Sequence, residues 1–277
     1  MAYTFSLAHL TVLGCPPPEM IYIAGMAGYE YASLRPIPMR LPGEPNYDLS
    51  TEKELLRQTK QAMKDTGVKI HDIELARILD NVDVGEYEAN IAVAAEELGC
   101  KHILSSVWTT DKARYMDQFA KLVDIAGKYG MTVNLEFVTW SALYNLDEVM
   151  EVLNAQTANN IGLMVDMLHC YRSRVKPEEF DAVPREWFNF VHLNDGPGEI
   201  PDRTDTQALI HTGRDARLYP GEGAIDIAGI LAHMPEVVCS IELPHTERSK
   251  AMGYAEHARR CLASSKKYFA EHKLTLP

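Results

Sequence analysis

Eight apolar, strand-like runs alternate with stretches of helical periodicity from one end of the chain to the other, and that alternation limits the fold more than any other feature. The runs fall at residues 5–12, 29–35, 68–75, 102–107, 132–137, 162–165, 188–193 and 237–243. Helical patterns occupy residues 17–26, 51–66, 86–98, 112–129, 146–159, 225–234 and 254–271, with a short one near 177–182 as the weakest unit. Thr51 and Glu54 have the spacing of a capping box at the start of the second helix. Strands joined by helices must lie parallel, because a parallel pair needs a crossover of a dozen or more residues. Eight such units in 277 residues, with no linker and no break in composition, predict an α/β fold closed as a single (β/α)8 TIM barrel. One domain over residues 1–277 is the expected organisation. No G-x-G-x-x-G follows a strand, which weakens a dinucleotide-binding sheet. The apolar N-terminus lacks a basic leader and reads as the first strand, not a signal peptide.

Residues 194–222 break the rhythm. They carry Asp195, Asp202, Asp205, His211, Arg214 and Arg217 among several glycines and prolines. A connection this long, on the active face of a barrel, reads as a lid. Arg217, just before YPGEG, is then expected to shape substrate binding more than stability.

The last four strands each end on a polar residue in an otherwise apolar run. Glu136 closes NLEF, Asp166 closes LMVD, His192 lies in FVHLND and Glu242 in SIELPH. Carboxyl ends of successive barrel strands converge on one pocket. A single glutamate there is commonly an ion-pair partner or cap, but four such residues at once are hard to explain as packing. Three clustered carboxylates repel one another unless a cation neutralises them. An oxygen-rich set with one imidazole and no thiolate suits one divalent metal ion, Mn2+ first, with Mg2+, Co2+ or Zn2+ also fitting.

These motifs, together with the Asp166–His169 pair in DMLH and the RLYPGEG segment from Arg217 to Gly223, resemble the xylose isomerase-like superfamily, in its sugar phosphate isomerase/epimerase branch. Ketose 3-epimerases, inosose dehydratase, hydroxypyruvate isomerase and 3-dehydroshikimate dehydratase belong there, with endonuclease IV more distant. The resemblance covers essentially the whole chain. It implies that Glu136 and Glu242 bind metal and also move protons, and that His169 and Arg217 contact substrate. Several dehydratases of that branch carry Gln where this chain has His192, which tilts the expectation toward isomerases and epimerases.

That chemistry moves a proton on carbon beside a carbonyl, and needs a base, an acid and a stabiliser of the enediolate. Two-face transfer epimerises, one-face transfer isomerises, and loss of a β-hydroxyl dehydrates; the sequence leaves all three open. Arg35 and Arg77 end strands two and three, each a salt-bridge residue or a substrate clamp. Trp108 and His9, also near strand ends, either pack against a sugar face or fill the core. The implied partner is a small sugar or keto-polyol. A formal net charge of −12 with no basic patch argues against nucleic acid, and against the endonuclease reading, which also lacks the extra histidines of a metal cluster. No run approaches the ~20 apolar residues of a membrane span. Five scattered cysteines without a CxxC point to reduced thiols in a cytoplasmic protein, and a homo-oligomer is compatible with the sequence.

Overall fold

In the computed structural model, which describes residues 3–274, the expected barrel is present and closed. Its strands are β1 (Phe5–Ala8), β2 (Tyr31–Leu34), β3 (Lys69–Ile78), β4 (His102–Val107), β5 (Thr132–Glu136), β6 (Ile161–Asp166), β7 (Phe188–Leu193) and β8 (Val238–Ile241), all parallel and in chain order. β8 returns to β1 through Phe5↔Cys239 and Leu7↔Ile241. The helices are α1 (Pro17–Ala27), α2 (Lys53–Thr66), α3 (Glu88–Leu98), α4 (Lys112–Lys128), α5 (Leu146–Asn154), α6 (Met167–Arg172), α7 (Thr206–Asp215), α8 (Ile227–Ala232) and α9 (Thr246–Glu271).

Alternation along each strand divides the molecule into two cores. Outward residues such as Leu7, Val133, Leu135, Leu163, Val191 and Ile241 pack under the helices in the main apolar cluster. Burying each contributes roughly 1.5–3 kcal/mol. Leu75, Leu104, Met164 and Phe190 form a separate cluster with Met39 that plugs the barrel interior. Above this plug the inward positions turn polar, which places the chemistry at the carboxyl ends. Helix ends follow local rules: Asp111, Asn145 and Asp205 each accept an N–H from the first turn of α4, α5 and α7. Gly99 ends α3 at φ 69°, where a side chain would be strained.

Four expectations need correction. The first strand stops at Ala8, and residues 9–12 form a 3-10 turn held by the His9 ring, which meets Cys15 O at 2.9 Å and accepts from Arg35 N. The Thr51–Glu54 capping box does not form; Glu54 instead accepts from Arg57 and Gln58, while Asp48 ties the chain before α2. After β6 the chain enters α6 at once, because Asp166 serves both as the last strand residue and as the N-cap, so the expected segment at Pro177–Ala182 is only a following 3-10 turn. The presumed lid contains α7, and its remainder is tied down. The Asp195 carboxylate accepts from the backbone N–H of Gly196, Gly221, Gly223 and Ile225 at 2.8–3.1 Å, and the backbone of Asp195 bridges to Leu218. A Cβ at Gly223 would meet Gly196 O at 2.2 Å, which explains the second glycine of YPGEG.

All five cysteines are buried and unpaired. Burial raises every thiol, Cys15 and Cys170 to about 12. Among the described residues no helix is long and apolar enough to cross a membrane. Asp195→Ala removes the acceptor of four N–H groups and is expected to destabilise the fold by ~3 kcal/mol or more. An unchanged urea midpoint would show that the 194–225 segment is a free lid after all.

Candidate metal centre and active site

The carboxyl ends of β5 to β8 bring the polar strand-end residues to one place. Asp166 and His192 are register partners across β6 and β7, and His192 faces Ser240, two residues before Glu242. One ligand atom from each of Asp166, His192 and Glu242 lies within 4.8 Å of the others. Glu136 joins through a second set at the same spacing, with Asp166 and His169. Asp166 is common to both sets.

Each residue is held by its element. Asp166 caps α6 through Oδ1, which accepts from Leu168 N at 2.8 Å and His169 N at 3.1 Å, while Oδ2 accepts from Asn194 Nδ2 at 3.1 Å. The cap therefore also aims His169, one turn on. Thr139 N donates to His169 Nδ1 at 3.4 Å, and its hydroxyl lies 3.2 Å away. With Nδ1 accepting, the ring proton sits on Nε2, toward the pocket. Burial pulls the His169 pKa down to about 4, so the ring is neutral near pH 7. The Trp140 ring meets it edge-on at 4.8 Å.

Arg217 lines the pocket but departs from the loose-lid placement expected of it. It is 2% exposed, and its guanidinium pairs with Asp166 Oδ2 and, at 2.9 Å, with Glu242 Oε2. Its Nε donates to Gly213 O at 2.7 Å and its backbone N–H to Pro244 O. It is a buried counter-ion locked to α7 and to the end of β8, not a residue of a loose lid. Arg35 is likewise engaged, with Nε donating to Glu74 at 3.1 Å and Nη1 reaching Glu44 at 3.4 Å. Arg214 pairs with Glu44 from the other side. Trp108 donates to Ser106 Oγ at 2.8 Å and lines the pocket wall. Arg77 lines the same wall; it donates to Met39 O and has no carboxylate partner among the described residues. The cavity is about 400 Å3, lined by Glu136, His169, Arg217 and Glu242 and by apolar residues that include Leu10, Met39 and Ile210.

The charges fit a dication. With all three buried carboxyl groups ionised and His192 neutral, the states in which these side chains can bind a metal, one guanidinium leaves two negative charges. Burial first, then the charges of Asp166 and Glu242, hold the Glu136 carboxyl well above the usual range. Burial opposes ionisation of Asp166 and Glu242 as well, but Arg217 and His192 outweigh it; Asp166 lies well below its usual value and Glu242 at about 2. His192 Nδ1 lies 3.2 Å from Glu242 Oε2 without hydrogen-bond geometry, so both buried ring nitrogens lack a hydrogen-bond partner. Buried imidazole nitrogens without a partner beside carboxylate oxygens are the donor set of an N/O cation site.

Two acids were missed. Asp72 and Glu74 on β3 are fully buried and interrupt their strand as Glu136 interrupts β5. The same polar-break rule, applied to HDIELARI, finds them. Glu74 accepts from His9 N at 2.8 Å and anchors Arg35. Asp72 accepts from Ser33 Oγ, and its Oδ1 has no partner. Burial pushes its carboxyl up to about 7, Ser33 and His192 opposing and Glu74 and Glu242 adding.

By fold and by the placement of these groups, this is a (β/α)8 barrel with an acidic, imidazole-bearing centre on the carboxyl-end face. A model of the xylose isomerase-like TIM barrel matches residues 22–265, and the chain belongs to that family. Inosose isomerase of Bacillus subtilis is 25% identical over 167 residues, 55% of this chain and 57% of that protein. A 3-dehydroshikimate dehydratase of Pseudomonas putida is 26% identical over 191 residues, 64% of this chain and 29% of that protein. The matches thus span little more than half of one relative and under a third of the other. Among solved structures, the IolI protein with a bound zinc atom superposes at TM-score 0.79 and 19% identity, covering 97% of this chain and 99% of that one. D-allulose 3-epimerase from Methylomonas sp. superposes at 0.68 and 14%, covering 96% and 97%. Likenesses at this identity carry the fold.

Two stability experiments follow from this geometry. In chelator-treated protein, Arg217→Ala leaves buried carboxylates uncompensated and is expected to cost ~3–5 kcal/mol; an unchanged melting temperature would return Arg217 to the purely substrate-binding role first expected of it. Asp72 holds its proton up to about pH 7 when folded, but only to ~4 when unfolded. Stability from this group is therefore full below pH 4, falls as pH rises toward 7, and stays low above. Asp72→Asn should raise the melting temperature at pH 8 and leave it nearly unchanged at pH 4. Equal shifts at both pH values would remove the titration from the explanation.

Proposed function

We propose that the protein is a divalent-metal-dependent isomerase or epimerase acting on a small polyhydroxylated carbonyl compound through its enediolate. The observation that carries this reading is the buried Asp166–His192–Glu242 set, with two unpartnered imidazole nitrogens and Glu136 adjoining through Asp166. Glu136, Asp166, His192 and Glu242 would hold the ion, Mn2+ being our first choice. When bound, such a cation supplies Lewis acidity to a chelated carbonyl and makes the neighbouring C–H acidic. Glu136 and Glu242 face the cavity from β5 and β8, so a substrate between them meets a carboxyl group on two sides. One removes the proton and the other returns it. His169 donates Nε2–H to a substrate oxygen, and Arg217 holds Asp166 and Glu242 in place. Trp108 and Trp140 supply flat apolar walls for a sugar face. The names of the relatives, an inosose isomerase and a 3-epimerase, agree with this class.

A second reading, dehydration of a keto-polyol acid, is favoured by one observation. Arg77 faces the cavity with no carboxylate partner among the described residues, and a substrate carboxylate of the dehydroshikimate kind would provide one.

Protein purified without chelator should contain close to one Mn, Co, Zn, Mg or similar ion per chain by elemental analysis; a metal-free preparation that is fully active would remove the cation from the proposal. A panel of ketoses, keto-inositols and keto acids in D2O tests the reaction by NMR. Deuterium on the α-carbon with unchanged connectivity reports epimerisation, a moved carbonyl reports isomerisation, and lost water reports the lyase. Glu242→Gln should keep the fold and lose exchange by at least ~100-fold. Undiminished exchange would overturn the assigned roles.

A further inference from the structure

Thr139 lines a second cavity of about 440 Å3, between α6, α7 and residues 200–203. We propose that it is a phosphate-binding site built on Arg172, Arg174 and Arg203. None of these residues belongs to the centre described above, so the inference stands apart from the proposed reaction.

Arg172 carries the argument. It is 6% exposed, lines the cavity, and has no carboxylate within ion-pair distance among the described residues. Nη1 donates to Leu209 O at 3.2 Å, and the buried Nε has no partner at all. Buried guanidinium groups are normally paired, because an uncompensated buried charge is strongly destabilising. Burial, reinforced by the charge of Arg217, lowers its pKa to about 10. An anion in the cavity would reverse that penalty.

Two more guanidinium groups line the same space. Arg203 lies over the Tyr144 ring, 3.3 Å from its centroid, and both residues face the cavity. The ring props an otherwise flexible exposed side chain in position. Arg174 closes α6 at φ 59°, a conformation that suits glycine and strains arginine. Chain geometry alone therefore gives no reason for an arginine at this place. The one carboxylate on the lining, Asp202, is turned into its own loop, accepting from Thr204 N at 2.8 Å and Oγ1 at 2.6 Å. Three guanidinium groups against one carboxylate leave two positive charges, which match a phosphate dianion. Guanidinium forks suit phosphate oxygens in geometry as well as in charge.

The site lies one side chain away from the active pocket. Thr139 lines this cavity and holds His169 Nδ1, and Arg172 follows His169 by one helical turn. A phosphate held here is either a separate small anion or the far end of a phosphorylated substrate.

The test titrates the protein, as purified, with inorganic phosphate and separately with fructose 6-phosphate, following backbone amides by NMR. Saturable shifts at residues 172–174 and 200–204, with a midpoint on the order of 1 mM or below, are expected from both. Added shifts at 136 and 169 with the sugar phosphate alone identify the group as the substrate's; their absence identifies a separate ligand. Arg203→Ala and Arg174→Gly are surface changes that leave the fold intact. Each should weaken phosphate binding by about tenfold. Arg174→Gly also relieves the positive φ, so it should raise the melting temperature while lowering affinity, a combination that a purely structural arginine does not give. Phosphate affinity equal to wild type in both variants, or no saturable shift at these amides, would overturn the site.

Discussion

Three carboxylates buried around a single guanidinium are the constraint on which the upper half of this barrel depends. Arg217 spans Asp166 and Glu242, and it can do so only because its backbone is pinned to Pro244 and its Nε to Gly213. Those anchors exist because residues 194–225 wrap around the Asp195 carboxylate. What looks like loop decoration is thus the scaffold of a counter-ion. Asp166 Oδ2 already accepts from that guanidinium and from Asn194, so a cation held by Asp166 would be coupled to the position of Arg217.

The rest of the fold delivers carboxylates to that guanidinium. Apolar residues on the outward face of each strand press the helices on, and Phe190, Leu104 and Met164 seal the interior below. The acidic groups of the centre then gather at the carboxyl ends, above that seal. Asp166 condenses this logic into one residue. It ends a strand, starts a helix, joins both candidate ligand sets and aims His169.

Much of this was legible in the amino-acid order. Eight apolar runs specified the barrel, and a polar residue at each of four strand ends located Glu136, Asp166, His192 and Glu242 side by side. The failures have physical causes. α6 was hidden because its cap is also a strand residue, and α7 because its one buried leucine, Leu209, leaves little periodic signal. The buried ion pairs of Arg217 went unforeseen because hydropathy cannot tell an arginine that faces solvent from one that neutralises buried acids 51 residues earlier in the chain and beyond. Asp72 and Glu74 were passed over because they break their strand from within β3 and not at its end, where the other four lie. Thr51 and Glu54 had the right spacing for a cap, but Glu54 lies within reach of Arg57 and takes that charged partner instead.

The five thiols give the barrel a property unrelated to its chemistry. Cys15 follows the first turn, Cys100 precedes β4, Cys170 sits in α6, Cys239 in β8 and Cys261 in α9, each fully covered and each held protonated by its apolar surroundings. A thiol in that state does not react until the segment around it opens. The chain therefore carries five built-in clocks, three at the seam where β8 meets β1 and one each near β4 and in α6. The rate at which each one becomes alkylated in the native protein measures how often that sector breathes, and comparing sectors would reveal whether the ring loosens seam by seam or gives way all at once.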